Sequence, residues 1–210
     1  MDTRHAHARE SRRGHHGRPD PMRLSARLSL ALLLAALPAA AAPVSVRTER
    51  RGDAVEIRAS AALNADVATA WRVLTDYEGY TRFIPDLRTS RVVARRGGSV
   101  TVEQSGDARV WLLRFPLDIT FEISESPMHS LHSRAVAGSM RMLESRYLLT
   151  PTSSGTRLEY TGRVAPGFEF FGRIEEHAVG ENVARRFQAL ADEIERGGAD
   201  EGSGRIEGVR

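Results

Sequence analysis

Apolar positions first recur every second residue, then every third and fourth, and the change marks where one kind of element gives way to another. Val55, Ile57, Ala59 and Ala61 alternate with Glu56, Arg58 and Ser60, the signature of a strand with one buried face. Val67, Ala70, Trp71 and Leu74 follow at helical spacing, with Asn64 as the expected N-cap and Asp66 in the first turn. A second short helical piece, broken at Gly79, closes at Pro85. Strand-like runs then succeed one another over about 87–96, 99–114, 117–125, 129–136, 141–150 and 155–165. The turns between them are expected at Arg96-Gly97-Gly98, Phe115-Pro116, Ser126-Pro127, Gly138-Ser139 and Thr152-Ser153-Ser154-Gly155.

Leu117, Ile119, Phe121 and Ile123 face one way, and Asp118, Thr120, Glu122 and Ser124 the other, which predicts an antiparallel sheet with one wet face. Gly106-Asp107 inside a long strand predicts a bulge that bends it. Finally Phe171, Ile174, Ala178 (or Val179), Val183, Phe187, Leu190 and Ile194 step mostly by three and four, a long amphipathic helix over about 168–196. The pattern predicts an α+β domain: a curved seven-stranded antiparallel sheet wrapped around a long C-terminal helix, with two short helices after the first strand. Residues 197–210, rich in Gly, Asp, Glu and Ser, are expected to be a disordered tail.

The N-terminus follows a different logic. Met22 to Arg27 is short and basic, Leu28 to Leu37 is apolar, and Pro38 precedes the small residues Ala39 to Ala42. This is the three-part pattern of a signal peptide over 22–41, cut after Ala41. The apolar run of about ten residues is half what a spanning helix needs, so a periplasmic or secreted protein is expected. Residues 1–21, with four histidines and five arginines, read as a disordered leader or a mis-assigned start preceding Met22. Residues 42–196 are then the folded domain.

Charge narrows the partners. Seven of the 30 arginines and three of the 27 carboxylates lie before Ala42, leaving 23 basic residues against 24 acidic ones, and there is no lysine. A near-neutral domain gives no basic face for phosphates, so nucleic acid is not an expected partner. With no cysteine, there is neither a disulfide nor a lipid attachment point.

A bent sheet closed by an amphipathic helix leaves an apolar tunnel, and such pockets bind by burial with a few polar groups for orientation. The candidate lining residues are Trp71, Tyr77, Tyr80, Phe83, Gln104, Phe121, Tyr147, Tyr160, Phe171 and Phe187; Trp111 and Phe115 are further aromatics that could reach it. Each ring is also a candidate for plain core packing. Gln104 shares the parity of Val100 and Val102 and should point inward, to a ligand or to a neighbouring strand.

No catalytic constellation emerges. His129 and His132 fall on opposite faces of a strand and do not form a metal pair. His177 is either a base at the tunnel mouth or a solvated helix position. Asp118 and Glu122 lie on the wet face, and Ser139 and Ser145 lack the strained turn of a hydrolase nucleophile. No cofactor and no metal are expected.

The segment Ala65 to Pro85, through Val67, Trp71, Leu74, Asp76, Tyr77, Tyr80, Phe83 and Pro85, together with Val102-Glu103-Gln104, Gly155 to Tyr160 and Pro166, resembles the START-like polyketide cyclase/dehydrase and coenzyme-Q-binding family. The resemblance spans roughly Val55 to Arg196 and implies the helix-grip fold. It departs at Gly138-Ser139-Met140 and Tyr147, where many relatives carry Gly-Asp-Phe and a Trp, so ligand specificity does not carry over. The resemblance implies a protein that binds a hydrophobic small molecule, a lipid, isoprenoid quinone or polyketide-like chain, with a transient membrane contact as a further expectation. Two alternatives follow from the same family: a cyclase or dehydratase that shapes a polyketide chain, and a protein-interaction factor akin to its ribosome-associated members.

Overall fold

The computed structural model describes residues 43–167 and 173–207; the expected leader and signal peptide lie outside them. Eight strands form one antiparallel sheet: β1 (Val44–Arg51), β2 (Ala54–Leu63), β3 (Leu87–Arg96), β4 (Ser99–Val110), β5 (Leu113–Ser126), β6 (Ser130–Gly138), β7 (Met140–Thr152) and β8 (Gly155–Pro166). Their order across the sheet is β1-β2-β8-β7-β6-β5-β4-β3. Between β2 and β3 lie helix α1 (Val67–Thr75) and a 3₁₀ turn (Glu78–Arg82), and the chain closes with helix α2 (Arg173–Glu207).

The strand count exceeds the expected seven because of β1. It is an edge strand whose Val44, Val46 and Thr48 are only half-buried, and that short weak alternation was not enough to mark it. β2 shows the opposite case, with Val55, Ile57, Ala59, Ala61 and Leu63 all buried on one face.

Helix α1 is capped by Asp66, not Asn64: its carboxylate accepts from the Thr69 N–H at 2.8 Å. Asn64 instead ties the end of β2 to α2, donating its backbone N–H to Glu195 Oε1 at 2.7 Å. The hairpin between β4 and β5 turns at Trp111-Leu112, not at Phe115-Pro116. Pro116 sits within β5 opposite Asp107, beyond the point at Ile119 where β6 begins to pair, so its missing N–H leaves no ladder bond unmade. The bulge expected at Gly106-Asp107 belongs to the partner strand: the register shifts between Leu87 and Thr89 opposite Gly106 and Ser105. Gly106 is needed there, because a Cβ would run into the backbone carbonyl of Asp86.

Helix α2 does not end near 196 but runs to Glu207. Gly197 and Gly198, which read as helix breakers, are close-approach residues. A Cβ on Gly198 would meet the Ala65 Cβ at 2.9 Å, and one on Gly197 would meet Thr69 and Arg72 of α1 at 3.2 and 3.0 Å. The core lies between α2 and the sheet, where Phe187, Leu190, Ala191 and Ile194 pack with Leu74 of α1 and with Ile57, Leu149 and Leu158.

Candidate functional site

The inner face of the sheet and the Ala178–Leu190 stretch of α2 do not fill the space between them. They enclose a mainly apolar cavity of about 240 Å³. Its sheet wall comes from alternate residues within single strands, such as Ile119, Phe121 and Ile123 of β5, joined by Val110, Leu131, Leu143 and Val164, and its helical wall from Ala178, Val179, Asn182, Val183, Arg186, Phe187 and Leu190, at three- and four-residue spacing. For scale, an engineered apolar cavity of about 150 Å³ in another protein holds one benzene.

Seven of the ten candidate residues line this cavity: Tyr77, Tyr80, Gln104, Phe121, Tyr147, Tyr160 and Phe187. The rings form two groups, Tyr77–Tyr80 with centroids 6.1 Å apart and Tyr147–Tyr160–Phe187 at 4.9 and 6.3 Å. Trp71 and Phe83 pack against the core without reaching the cavity, Phe83 edge-on to Tyr80 at 5.6 Å. Phe171 lies outside the described residues. Phe115 is half-buried and off the lining, and Trp111 is 75% exposed at the hairpin tip.

Most polar groups of the wall are already satisfied by the fold. Tyr77 donates to Glu125 at 2.8 Å and Tyr80 to the Leu74 carbonyl at 2.7 Å; burial pushes both phenols well above the ordinary tyrosine range. Gln104 Nε2 donates to Ser90 Oγ at 3.1 Å, which donates to the Tyr77 carbonyl at 2.6 Å. Ser133 and Ser145 share a hydroxyl bond of 2.7 Å, and the Tyr160 hydroxyl bonds Ser145. Asn182 donates to the carbonyls of Arg109 and Ala178 and accepts from Arg185 at 2.8 Å.

Two groups stand apart. The Tyr147 hydroxyl makes no hydrogen bond among the described residues, and burial raises its pKa well above the ordinary value. Arg186, which sequence reasoning missed, contributes a cation to the same wall.

Outside the cavity, His129 lies in the turn before β6, not in a strand, and both it and His132 are exposed. His177 is exposed and contacts Glu181 at 3.2 Å, one turn along α2; it does not line the cavity. Glu122 pairs with Arg134 at 2.6 Å and Asp118 is exposed. Among the described residues no cluster of three or more metal-ligating side chains occurs, and no helix is long and apolar enough to cross a membrane.

A family model described as polyketide cyclase/dehydrase and lipid transport matches residues 54–196, which is β2 through the tightly packed part of α2. The chain belongs to this family. Three solved structures carry the same fold. A STAR-related lipid transfer protein from Xanthomonas axonopodis superposes with a TM-score of 0.61 at 17% identity, over 76% of this chain and 96% of that one. The protein TTHA0849 from Thermus thermophilus gives 0.59 at 19%, over 66% and 96%. The ZhuI aromatase/cyclase from Streptomyces sp. R1128 gives 0.56 at 16%, over 72% and 95%. None of the curated proteins compared matches the chain. For a polyketide cyclase/dehydrase and lipid transport protein the grip of a curved sheet on a C-terminal helix is the shared scaffold, and a scaffold by itself does not fix function.

Proposed function

We propose that this protein is an exported carrier or binder of a hydrophobic small molecule, a lipid, isoprenoid quinone or polyketide-like compound, held between α2 and the sheet. The carrying observation is the cavity of about 240 Å³ whose wall is largely apolar. Protein interiors are close-packed, and a void of this size forfeits dispersion contacts along its whole lining unless a guest restores them. The family's description includes lipid transport, and one structural neighbour is named a STAR-related lipid transfer protein. Mass spectrometry of an organic extract of the purified protein, with uptake of the neutral fluorophore N-phenyl-1-naphthylamine, tests the reading. A co-purified apolar molecule or saturable uptake supports it; an empty extract and no uptake overturn it. Export is tested by N-terminal sequencing of the periplasmic form, which should begin at Ala42.

The reading includes a membrane contact. At the tip of the β4–β5 hairpin Trp111, Leu112 and Leu113 are 75, 99 and 60% exposed, with Arg109 and Arg114 beside them. Consecutive exposed apolar side chains flanked by cations suit the interface of an anionic bilayer.

A second reading, a cyclase that folds a polyketide-like chain, is favoured by one observation: the wall is not purely apolar, and Arg186, Tyr147, Tyr160 and Ser145 gather on it. Turnover of a poly-β-ketone substrate, lost with Tyr147→Phe, would establish it.

A further inference from the structure

Among the described cavity-lining side chains Arg186 is a cation whose polar needs the fold leaves largely unmet. The residue is half-buried in the wall beside Val183, Phe187 and Tyr147. Among the described residues its guanidinium makes one hydrogen bond, long and to a backbone carbonyl, that of Asp107 at 3.4 Å, and no ion pair. A guanidinium carries five donors and holds its proton under all ordinary conditions. Enclosing such a group without a counter-charge is costly, and partnering it recovers that cost.

The surrounding charges sharpen the point. Asp86 is the carboxylate of this corner, and Arg109 grips it with Nε and Nη2 at 3.0 and 2.7 Å. Arg185 and Arg114 share the same carboxylate at 3.7 and 4.0 Å, and Asp107 is taken by Arg88 at 2.6 Å. Three arginines on Asp86 leave this end of the cavity with surplus positive charge before Arg186 is counted. Burial, opposed by Asp86, Tyr147 and Tyr160 and reinforced by Arg185, holds the Arg186 pKa below its usual value without removing its charge near neutral pH. The unbonded Tyr147 hydroxyl supplies a second donor nearby.

We infer that the ligand is an amphipathic anion, an apolar body ending in a carboxylate or comparable oxyanion, seated with that group on Arg186 and its tail among Phe121, Ile123, Leu131 and Val183. This rests on the proposed binding function and specifies the chemistry of its ligand. A guanidinium–carboxylate pair inside a low-dielectric wall can be bidentate, and a neutral analogue of the same shape forgoes it.

The experiment uses the full chain loaded with N-phenyl-1-naphthylamine at pH 7.4, displaced by decanoate or by decanol. Decanoate is expected to compete at least about tenfold better than decanol, roughly the 1.4 kcal/mol of one net charged hydrogen bond. In Arg186→Gln that ratio should fall to about one, and in Arg186→Lys, which keeps the charge but not the fork, it should lie between. Each variant's melting curve without ligand is read alongside; relief of an unpaired cation predicts that Arg186→Met melts no lower than the parent. Equal competition by decanol and decanoate, or an unchanged ratio in Arg186→Gln, overturns the inference while leaving the binding function standing. Failure of the naphthylamine to bind the parent protein overturns both. Should Arg186→Gln not fold, Arg186→Lys and the parent's decanoate preference still decide the matter.

Discussion

Helix α2 is two helices in function, and its halves treat the sheet differently. From Ala191 to Gly198 it lies flush: Ala191 and Ile194 are fully buried, Gly198 admits the backbone at Ala65, and Gly197 admits the Thr69 and Arg72 side chains of α1. From Ala178 to Leu190 one of its faces lines the cavity, while Gly180 sits against Thr48 of β1 and Asn182 bonds Arg109 of β4. One continuous element thus anchors and encloses. Close packing and cavity lining are thereby divided along a single helix, so substitutions in one half should leave the other's property nearly intact.

The largest effects are expected in the anchoring half. Ile194→Ala should cost about 3 kcal/mol of unfolding free energy and Gly198→Val about 1–3 kcal/mol, both read from urea denaturation. Val183→Ala, beside an existing void, should cost about 1 kcal/mol; a larger loss there than at Ile194 would erase the contrast. Val183→Trp reverses the test: filling the roof should weaken naphthylamine uptake at least about tenfold while shifting unfolding by about 1.5 kcal/mol or less. Leu112→Asp should abolish co-sedimentation with phosphatidylglycerol-containing vesicles and change stability by no more than about 0.5 kcal/mol.

The smallest effect concerns pH. The hydrogen bonds from Arg109, against a desolvation that raises it, hold the Asp86 pKa below the usual carboxylate value. A lowered folded-state pKa contributes stability that is fully present above the unfolded value, about 4, and is lost as pH falls through the folded one. Because Arg109 and Arg114 face solvent, the contribution should stay under about 1 kcal/mol. Asp86→Asn should therefore flatten the acid limb of the stability curve below about pH 4 and leave its slope near neutrality unchanged.

Much of this division was readable from the residues alone. The period-two runs of β2 and β5 and the three-and-four spacing of α2 each report a buried face, and buried faces are what periodicity records. Parity placed Gln104 and Phe121 inward, while Tyr147 and Tyr160 were candidates only as aromatics. What escaped had a physical reason in each case. β1 is an edge strand half in water, so its alternation is faint. Phe115-Pro116 reads as a turn locally, yet the missing β6 neighbour makes proline harmless there. Gly197-Gly198 reads as a stop, but the decisive fact is the nearness of Ala65, a residue over a hundred positions away. Arg186 escaped because an arginine in an amphipathic helix looks solvent-bound until its neighbours Val183 and Phe187 are seen on the same wall.

The chain's two tryptophans fall on opposite sides of the packing boundary: Trp71 against the core and Trp111 at the hairpin tip. Intrinsic fluorescence therefore carries two separable signals. Emission from the tip should be red-shifted and open to iodide quenching, that from α1 bluer and shielded, so spectral unmixing can follow bilayer insertion and global unfolding in the same cuvette without any added dye.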